Sequence, residues 1–160
     1  GNSATTTRDG GGLWRLRFKD IDKPWLGGSL TLLLDGSEEP FLSKPDNMDI
    51  DKHGNLLIQE DPGSNPHLAR IIAYDIDTGK RGVLAQFDTA LFSPVTPGGT
   101  DAVLTIDEES SGIIDVEEIL GTGWFLFDAQ VHRVHPDAAS VEYGQLLAMK
   151  VPNWRKVYGG

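Results

Sequence analysis

The stretch 48–58, MDIDKHGNLLI, carries the clearest structural signal in the chain, because two short apolar runs flank the turn residues KHGN at 52–55. The pattern repeats downstream, where RIIAY at 70–74 and VLAQF at 83–87 flank the turn DIDTG at 75–79. Short apolar runs bounded by Gly, Asn and Asp are typical of antiparallel strands joined by tight turns. The sequence therefore predicts two successive β-hairpins.

Each of the two turns contains an Asp and a Gly that suit a hairpin. We expect Asp51 and Asp77 to accept hydrogen bonds from the turn backbone. We expect Gly54 and Gly79 to take the positive φ that such turns require. For these two Asp residues a role in the turn is therefore a better interpretation than ligand binding.

Further apolar runs bring the prediction to about nine strands without a long helix. The runs outside the two hairpins lie at 13–18, 30–34, 102–106, 112–116, 124–127 and 145–149. The best helix candidate, 115–120, is short, with Asp115 as its N-cap and Gly121 as its left-handed stop. The predicted fold class is all-β, with antiparallel meander sheets.

The spacing of the strands indicates a propeller-like architecture. Residues 45–87 hold four strands in about 43 residues, which is the size of one propeller blade. Residues 101–151 match a second blade and residues 13–35 half of another. Because a propeller needs at least four blades to close, we predict a partial propeller of about two and a half to three blades. Three alternatives follow: a piece of a longer protein, several copies that complete each other's sheets, or an open sheet or sandwich.

The sequence predicts a short tail followed by one domain. Residues 1–12, GNSATTTRDGGG, are small, polar and glycine-rich, which predicts a flexible tail or linker. The remaining segment, 13–160, has the length of one domain and holds the predicted blades.

The composition excludes several functional classes. The 14 Lys and Arg against 24 Asp and Glu give a net charge of −10, which argues against nucleic-acid binding because phosphate contacts need basic side chains. The absence of Cys excludes disulfides and thiolate metal sites. No apolar run approaches the roughly 20 residues of a membrane span. The sequence also lacks a phosphate-binding P-loop, a dinucleotide fingerprint and a G-x-S-x-G nucleophile motif.

Clusters of acidic residues next to the apolar runs are the candidate functional sites. They lie at 46–51, 59–61, 107–109 and 128–132. Calcium takes six to eight oxygen ligands at about 2.3–2.6 Å, and carboxylates at neighbouring strand ends can converge on one ion. The alternative is that these clusters are solvated loops.

A second feature is the spacing of Asp128, Gln130 and His132, which at strand periodicity face one side. They would form one wall of a pocket, or else the ordinary polar face of an edge strand. The candidate metal ligands are therefore Asp46, Asn47, Glu108, Glu109, Asp128 and His132.

Three segments of the chain resemble a known family. KPDNMD at 44–49, followed by GNLLI at 54–58, resembles a stretch of the bacterial PhoX-like alkaline phosphatases and their relatives. LTIDEESSGIID at 104–115 and WFLFDAQVH at 124–132 are similar to two further segments of those relatives. The PDN stretch also resembles, more loosely, calcium-binding propellers of the gluconolactonase type. Together the matches cover about residues 11–152.

The resemblance implies a six-bladed type of propeller that bacteria export, with calcium, and in the phosphatases also iron, at the centre of the ring. It implies that this chain is the C-terminal segment of a longer protein that is secreted or periplasmic. Asp46 and Asn47 match a calcium-liganding pair, whereas the other four candidate ligands match by local motif alone. The metal-bound Cys and the phosphate-binding basic residues of the family belong to blades outside this chain, so we expect no activity from it alone.

Two functions are therefore expected, with different partners. The first is a segment of a metal-dependent phosphoesterase, whose partners are a divalent cation and a phosphoester substrate. The second is a non-catalytic propeller module that calcium stabilises and that binds protein or glycan. An acidic β-domain without metal is the third interpretation. Open sheet edges also predict a homo-oligomer.

Overall fold

A computed structural model describes residues 11–63, 68–96, 99 and 102–159. The tail predicted for residues 1–12 falls outside these ranges, except for Gly11 and Gly12. In the described ranges no helix is long and apolar enough to cross a membrane.

Nine strands make up most of the described chain. They are β1 (Leu13–Phe18), β2 (Gly28–Leu34), β3 (Pro45–Ile50), β4 (Asn55–Glu60), β5 (Arg70–Asp75), β6 (Arg81–Gln86), β7 (Glu109–Asp115), β8 (Trp124–Val134) and β9 (Glu142–Lys150). The helices are one turn each: α1 (Thr89–Phe92), α2 (Glu117–Leu120) and α3 (Trp154–Val157), with a 3₁₀ turn at Pro24–Leu26.

The strands form three antiparallel sheets, each a meander in chain order. Sheet 1 is β1-β2, sheet 2 is β3-β4-β5-β6 and sheet 3 is β7-β8-β9. The prediction of an all-β fold with antiparallel meander sheets is therefore confirmed. None of these sheets closes on itself within the described residues, and the propeller remains a prediction.

Sheet 2 lies between sheets 1 and 3, and its two central strands, β4 and β5, are buried on both faces. One face packs against the ends of sheet 1, in a core that contains Leu13, Leu34, Leu42, Leu56, Ile58, Ile72 and Tyr74. The opposite face packs against sheet 3, in a second core that contains Leu57, Ile71, Ile113, Phe125 and Val151. Successive residues of a strand point to opposite faces, so burial on both sides explains why β4 and β5 are continuous apolar runs.

Besides this second core, polar contacts between β3 and β7 join sheets 2 and 3. The Nδ2 of Asn47 donates to the Oγ of Ser111 at 3.1 Å, and the backbone N–H of Asp115 donates to the Oδ2 of Asp49 at 2.6 Å. Residue numbers rise along both strands between these contacts, so the two strands run in the same direction. Side chains, and not a backbone ladder, therefore connect the two sheets here.

The two predicted hairpin turns form, with one correction. Asp51 is confirmed, because its Oδ1 accepts 2.9 Å hydrogen bonds from the backbone N–H groups two and four residues later. Gly54 and Gly79 have φ values of 87° and 70°, as predicted. The prediction for Asp77 is wrong, since Asp75 accepts the bonds from the turn backbone instead. A side chain that caps a turn must stand at its first position, which Asp75 occupies.

The short helix α2 also forms, but its cap is displaced by one residue. Val116 is the N-cap and not Asp115, which stays in β7, although its Oδ1 still accepts a 2.9 Å hydrogen bond from the backbone N–H of Glu117. Gly121 ends the helix with a positive φ of 93°, but its ψ of 169° is extended, so the left-handed helical conformation predicted for it does not form.

The strand predicted at 102–106 does not form. Leu104 donates its backbone N–H to the carbonyl of Leu91 in α1, and Val103 is exposed. A strand needs a sheet edge with which to pair, and among the described residues this run contacts a helical turn instead. The following strand, β7, begins at Glu109, so part of the acidic cluster at 107–109 lies within a strand.

Candidate metal centre

Three carboxylates from separate segments meet at one end of sheets 2 and 3. Asp46, Asp61 and Glu109 each place one carboxylate oxygen within 4.8 Å of the other two. Asp46 lies at the start of β3, Asp61 directly follows β4, and Glu109 begins β7. Because β3 and β4 are antiparallel, the start of one adjoins the end of the other, and β7 lies beside β3. The topology therefore brings the three residues together.

The loop that carries Asp61 is held by Lys44. The backbone N–H of Asp61 donates to the carbonyl of Lys44 at 3.0 Å, and the Nζ of Lys44 donates to the carbonyl of Pro62 at 2.7 Å. Lys44 has a φ of 46° and is the one non-glycine residue of the described ranges with a positive φ. This conformation is uncommon for a side chain of its size, so these bonds maintain an unfavourable backbone geometry beside the carboxylates.

The three carboxylates make an electrostatically unfavourable site. Burial raises the pKa of Glu109, and the negative charge of Asp61 raises it further, while His132 acts in the opposite direction. The Glu109 side chain is 12% exposed, so water screens this repulsion poorly. The site therefore favours a proton or a cation among these oxygens.

His132 lies beside this group, between two carboxylates. Its Nδ1 is 3.0 Å from the Oε2 of Glu142, and its Nε2 is 3.5 Å from the Oε1 of Glu109. Burial acts to lower the pKa of His132, but the hydrogen bond and charge of Glu142, together with the charge of Glu109, raise it overall. The two carboxylates thus favour the protonated form of His132, and ligation of a metal would require the neutral form.

Asn47 contacts the same group through its amide nitrogen. The Nδ2 of Asn47 donates to the Oδ2 of Asp46 at 3.0 Å as well as to Ser111. A cation is bound by the amide oxygen, so Asn47 would have to turn its amide over to become a ligand.

Two of the six predicted ligands lie apart from the three carboxylates. Glu108 is 2% exposed, and its Oε1 accepts a 3.0 Å hydrogen bond from the backbone N–H of Ala69. Asp128 pairs with Ser111 in the register of β7 and β8, which places it further along sheet 3. A Cβ atom at Gly112 would lie 3.0 Å from the Oδ2 of Asp128, so Asp128 packs directly over this glycine.

The face predicted for Asp128, Gln130 and His132 does form. All three are partly exposed, whereas Ala129 and Val131 between them are buried. The alternation of β8 is therefore as predicted, although His132 alone of the three contacts a member of the carboxylate group.

The acidic cluster at 59–61 was selected from the sequence, but the six candidate ligands did not include Asp61, which the structure places with Asp46 and Glu109. The position of Asp61 could have been inferred from the pairing register of β3 and β4, the first hairpin. Because Pro45 pairs with Glu60 and a bulge follows, Asp61 lies across from the start of β3. Counting outward from the turn would have placed it near Asp46.

Comparisons of this chain with protein-family models, with curated proteins and with solved structures found no match.

Proposed function

We propose that Asp46, Asp61 and Glu109 bind a divalent cation that stabilises the joint between sheets 2 and 3. The convergence of three carboxylates from three separate segments supports this proposal. The raised pKa of Glu109 supports it too, because a cation would remove the repulsion that raises it.

Calcium is the ion that best suits these ligands. The three side chains offer only carboxylate oxygens, which hard cations prefer, and the sequence has no Cys for a softer metal. Calcium takes six to eight oxygens in flexible geometry, so water and backbone carbonyls would complete the shell. Asp46 is exposed, which leaves the ion accessible to solvent on that side.

We further propose that the chain is part of a β-propeller of the PhoX-like phosphatase type. Two observations support the propeller: sheets 2 and 3 are successive meanders, and their first strands, β3 and β7, lie side by side in the same direction. The three motifs that resemble that family support the phosphatase. In a secreted or periplasmic parent protein the cation would polarise a phosphoryl oxygen and neutralise the charge that develops on it.

The cation site is tested by thermal unfolding with Ca²⁺ or with EDTA. A ligand that binds only the folded state stabilises it by about 2.7 kcal/mol at 100 times its Kd, so Ca²⁺ should raise the Tm. Asp61→Asn should abolish that rise, while Asp77→Asn, an exposed Asp in a turn, should keep it. An unchanged Tm, or an equal shift in all three proteins, would contradict the site.

The phosphatase is tested separately, with a longer protein that contains this chain. Hydrolysis of a phosphomonoester should depend on Ca²⁺ in the longer protein and be absent from residues 1–160 alone. A longer protein that is inactive with every metal, but whose Tm rises with Ca²⁺, would support the non-catalytic module that binds protein or glycan.

A further inference from the structure

A cavity of about 140 Å³ lies between the facing sides of sheets 2 and 3. Strands β5 and β6 contribute to one wall, and β7, β8 and β9 contribute to the other. The apolar residues that line it include Ile71, Ala85, Phe87, Phe127, Ala129 and Leu147. None of the three carboxylates of the candidate metal centre lines the cavity, so it is separate from that site.

The pairing of the strands places apolar side chains on both walls. Ile71 pairs with Ala85 in sheet 2, and Phe127 pairs with Leu147 in sheet 3, so each pair shares one face of its sheet. Arg70 precedes Ile71 in β5, and its side chain points to the opposite face, where its guanidinium binds Glu60. Since Arg70 is the one charged residue of the described ranges that lines the cavity, the walls suit a neutral molecule.

The cavity has a buried end and a side that opens to solvent. Ser110 pairs with Ala129, and the two residues are 4% and 8% exposed, so they lie at the buried end. Ala85 and Phe87 are partly exposed and lie on the open side. The rings of Phe87 and Phe92 meet edge to face with their centres 4.9 Å apart, so α1 supports this side of the cavity.

The hydroxyl of Ser110 is a buried polar group without a partner. Its Oγ is inaccessible to solvent and forms no hydrogen bond with any described residue. Ser110 shares the face of sheet 3 on which Ala129 lies, so its side chain is on the cavity side of β7. A buried hydroxyl without a hydrogen bond is unfavourable, and a water molecule would need two to four polar partners. Because the walls around Ser110 are apolar, they suit a ligand with one polar atom better than they suit water.

We propose that this cavity binds a neutral single-ring molecule whose one oxygen forms a hydrogen bond with the Ser110 hydroxyl. An apolar cavity of about 150 Å³ can hold benzene, so the volume here fits one six-membered ring. The rings of Phe87 and Phe127 in the walls favour an aromatic ligand, because aromatic rings attract one another in offset and edge-to-face arrangements. Simple phenols are therefore the chemical class that matches the volume, the walls and the hydroxyl.

The experiment titrates residues 1–160 with phenol and with benzene, which differ by the one oxygen. NMR follows the methyl signals of Ile71 and Leu147, and both probes should shift these signals to saturation. Ser110→Ala should weaken the binding of phenol about fivefold, which is the effect of one neutral hydrogen bond, and should leave the binding of benzene unchanged. All titrations contain EDTA, so that their outcome does not depend on the proposed cation.

A second pair of variants tests the location of the ligand. Ala85→Leu fills the open side of the cavity and should prevent the binding of both probes. The matched control is Ala148→Leu, the same substitution at an exposed position of β9 outside the cavity, which should bind both probes like wild type. The NMR spectra also show whether each variant is folded.

The thermal unfolding of Ser110→Ala without a probe completes the test. Because the Ser110 hydroxyl has no partner, its removal should not lower the Tm. A lower Tm would show that the hydroxyl already has a partner, and this would overturn the proposal. Methyl signals that phenol does not shift to saturation would also overturn it. So would an equal loss of affinity for phenol and benzene in Ser110→Ala, or binding that persists in Ala85→Leu.

Discussion

Glu60 and Asp61 are neighbours in the chain, yet their carboxylates have opposite surroundings. Glu60 is fully buried, and the Nε and Nη2 of Arg70 donate to its two oxygens at 2.8 Å. Asp61, one residue later, lies among the carboxylates of Asp46 and Glu109. Among the described residues, a basic side chain thus pairs with Glu60 and none pairs with Asp61. This difference agrees with a structural role for Glu60 and with the cation proposed at Asp61.

The pair of Glu60 and Arg70 is also complete in its hydrogen bonds. The backbone N–H of Ser43 donates to the Oε1 of Glu60 at 2.8 Å, and Arg70 Nη2 donates to the carbonyl of Phe41 at 2.7 Å. Buried charges are tolerated when they are both paired and hydrogen-bonded in this way. No external ion is needed there.

The largest expected effect comes from removing the internal counter-charge. Arg70→Ala removes the counter-charge of the buried Glu60 carboxylate, which should lower the free energy of unfolding by about 3–5 kcal/mol. Urea denaturation measures the loss, and Arg17→Ala, at an exposed position of β1, is the control. A loss no greater than that of the control would mean that Glu60 is stable without its partner, and the comparison with Asp61 would fail.

The second effect is at Asp61, where the same substitution should stabilise the protein without a cation and destabilise it with one. Without cation, Asp61→Asn removes one of three clustered charges and should stabilise the protein by about 0.5 kcal/mol. With Ca²⁺ at 100 times its Kd the same substitution should forfeit a stabilisation of about 2.7 kcal/mol. Urea denaturation in EDTA and in Ca²⁺ gives both values. Destabilisation in EDTA would show that Asp61 also has a structural role, like Glu60.

A third, smaller effect separates two Asp residues of one turn. Asp75 accepts backbone hydrogen bonds of 2.9 and 3.0 Å, so Asp75→Ala should lower the free energy of unfolding by about 1 kcal/mol. Asp77→Ala, at an exposed position of the same turn, should change it by less than about 0.5 kcal/mol. Equal losses in urea denaturation would contradict this assignment of the cap.

The smallest effect is a dependence of stability on pH in EDTA. The pKa of Glu109 is raised in the folded state, so the fold binds a proton there more readily and gains stability as the pH falls through that pKa. The raised pKa of His132 gives a stabilisation that is complete below about pH 6.5 and is lost as the pH rises through its folded-state pKa. Both groups therefore contribute to a higher free energy of unfolding at pH 5 than at pH 8.

The double variant Glu109→Gln/His132→Gln isolates this contribution. The stability of wild type relative to the variant, from urea denaturation at pH 5 and pH 8, should be higher at pH 5. A difference that is equal at the two pH values would show that neither pKa is raised by folding.

The hairpins were predictable because their signals are local. Alternating or continuous apolar runs and the Gly at each turn depend on neighbours in the sequence, and the predicted strands at 48–58 and 70–87 form. The run at 102–106 has the same apolar character, but among the described residues it has no sheet edge with which to pair. An apolar pattern indicates that a segment is buried, and it does not indicate which strand the segment pairs with. The fold class was therefore predictable, while the pairing of that segment was not.

The candidate site was only partly predictable because it depends on contacts between distant segments. Asp46 and Glu109 were selected from acidic density next to strands. That density does not distinguish Glu109 from Glu108, whose side chain is buried and bonded to Ala69, or Asp61 from Glu60. Whether a carboxylate has a partner depends on residues such as Arg70, which approach it only once the sheet has formed.

One backbone N–H group of β7 forms a hydrogen bond across the contact between β3 and β7. The N–H of Asp115 belongs to sheet 3 but donates to the Asp49 side chain of sheet 2. Its hydrogen exchange with solvent therefore reports the separation of the two sheets, while amides within each ladder report the unfolding of that sheet. The exchange rate of this single amide, measured in EDTA and in Ca²⁺, can thus show whether the proposed cation holds the two sheets together.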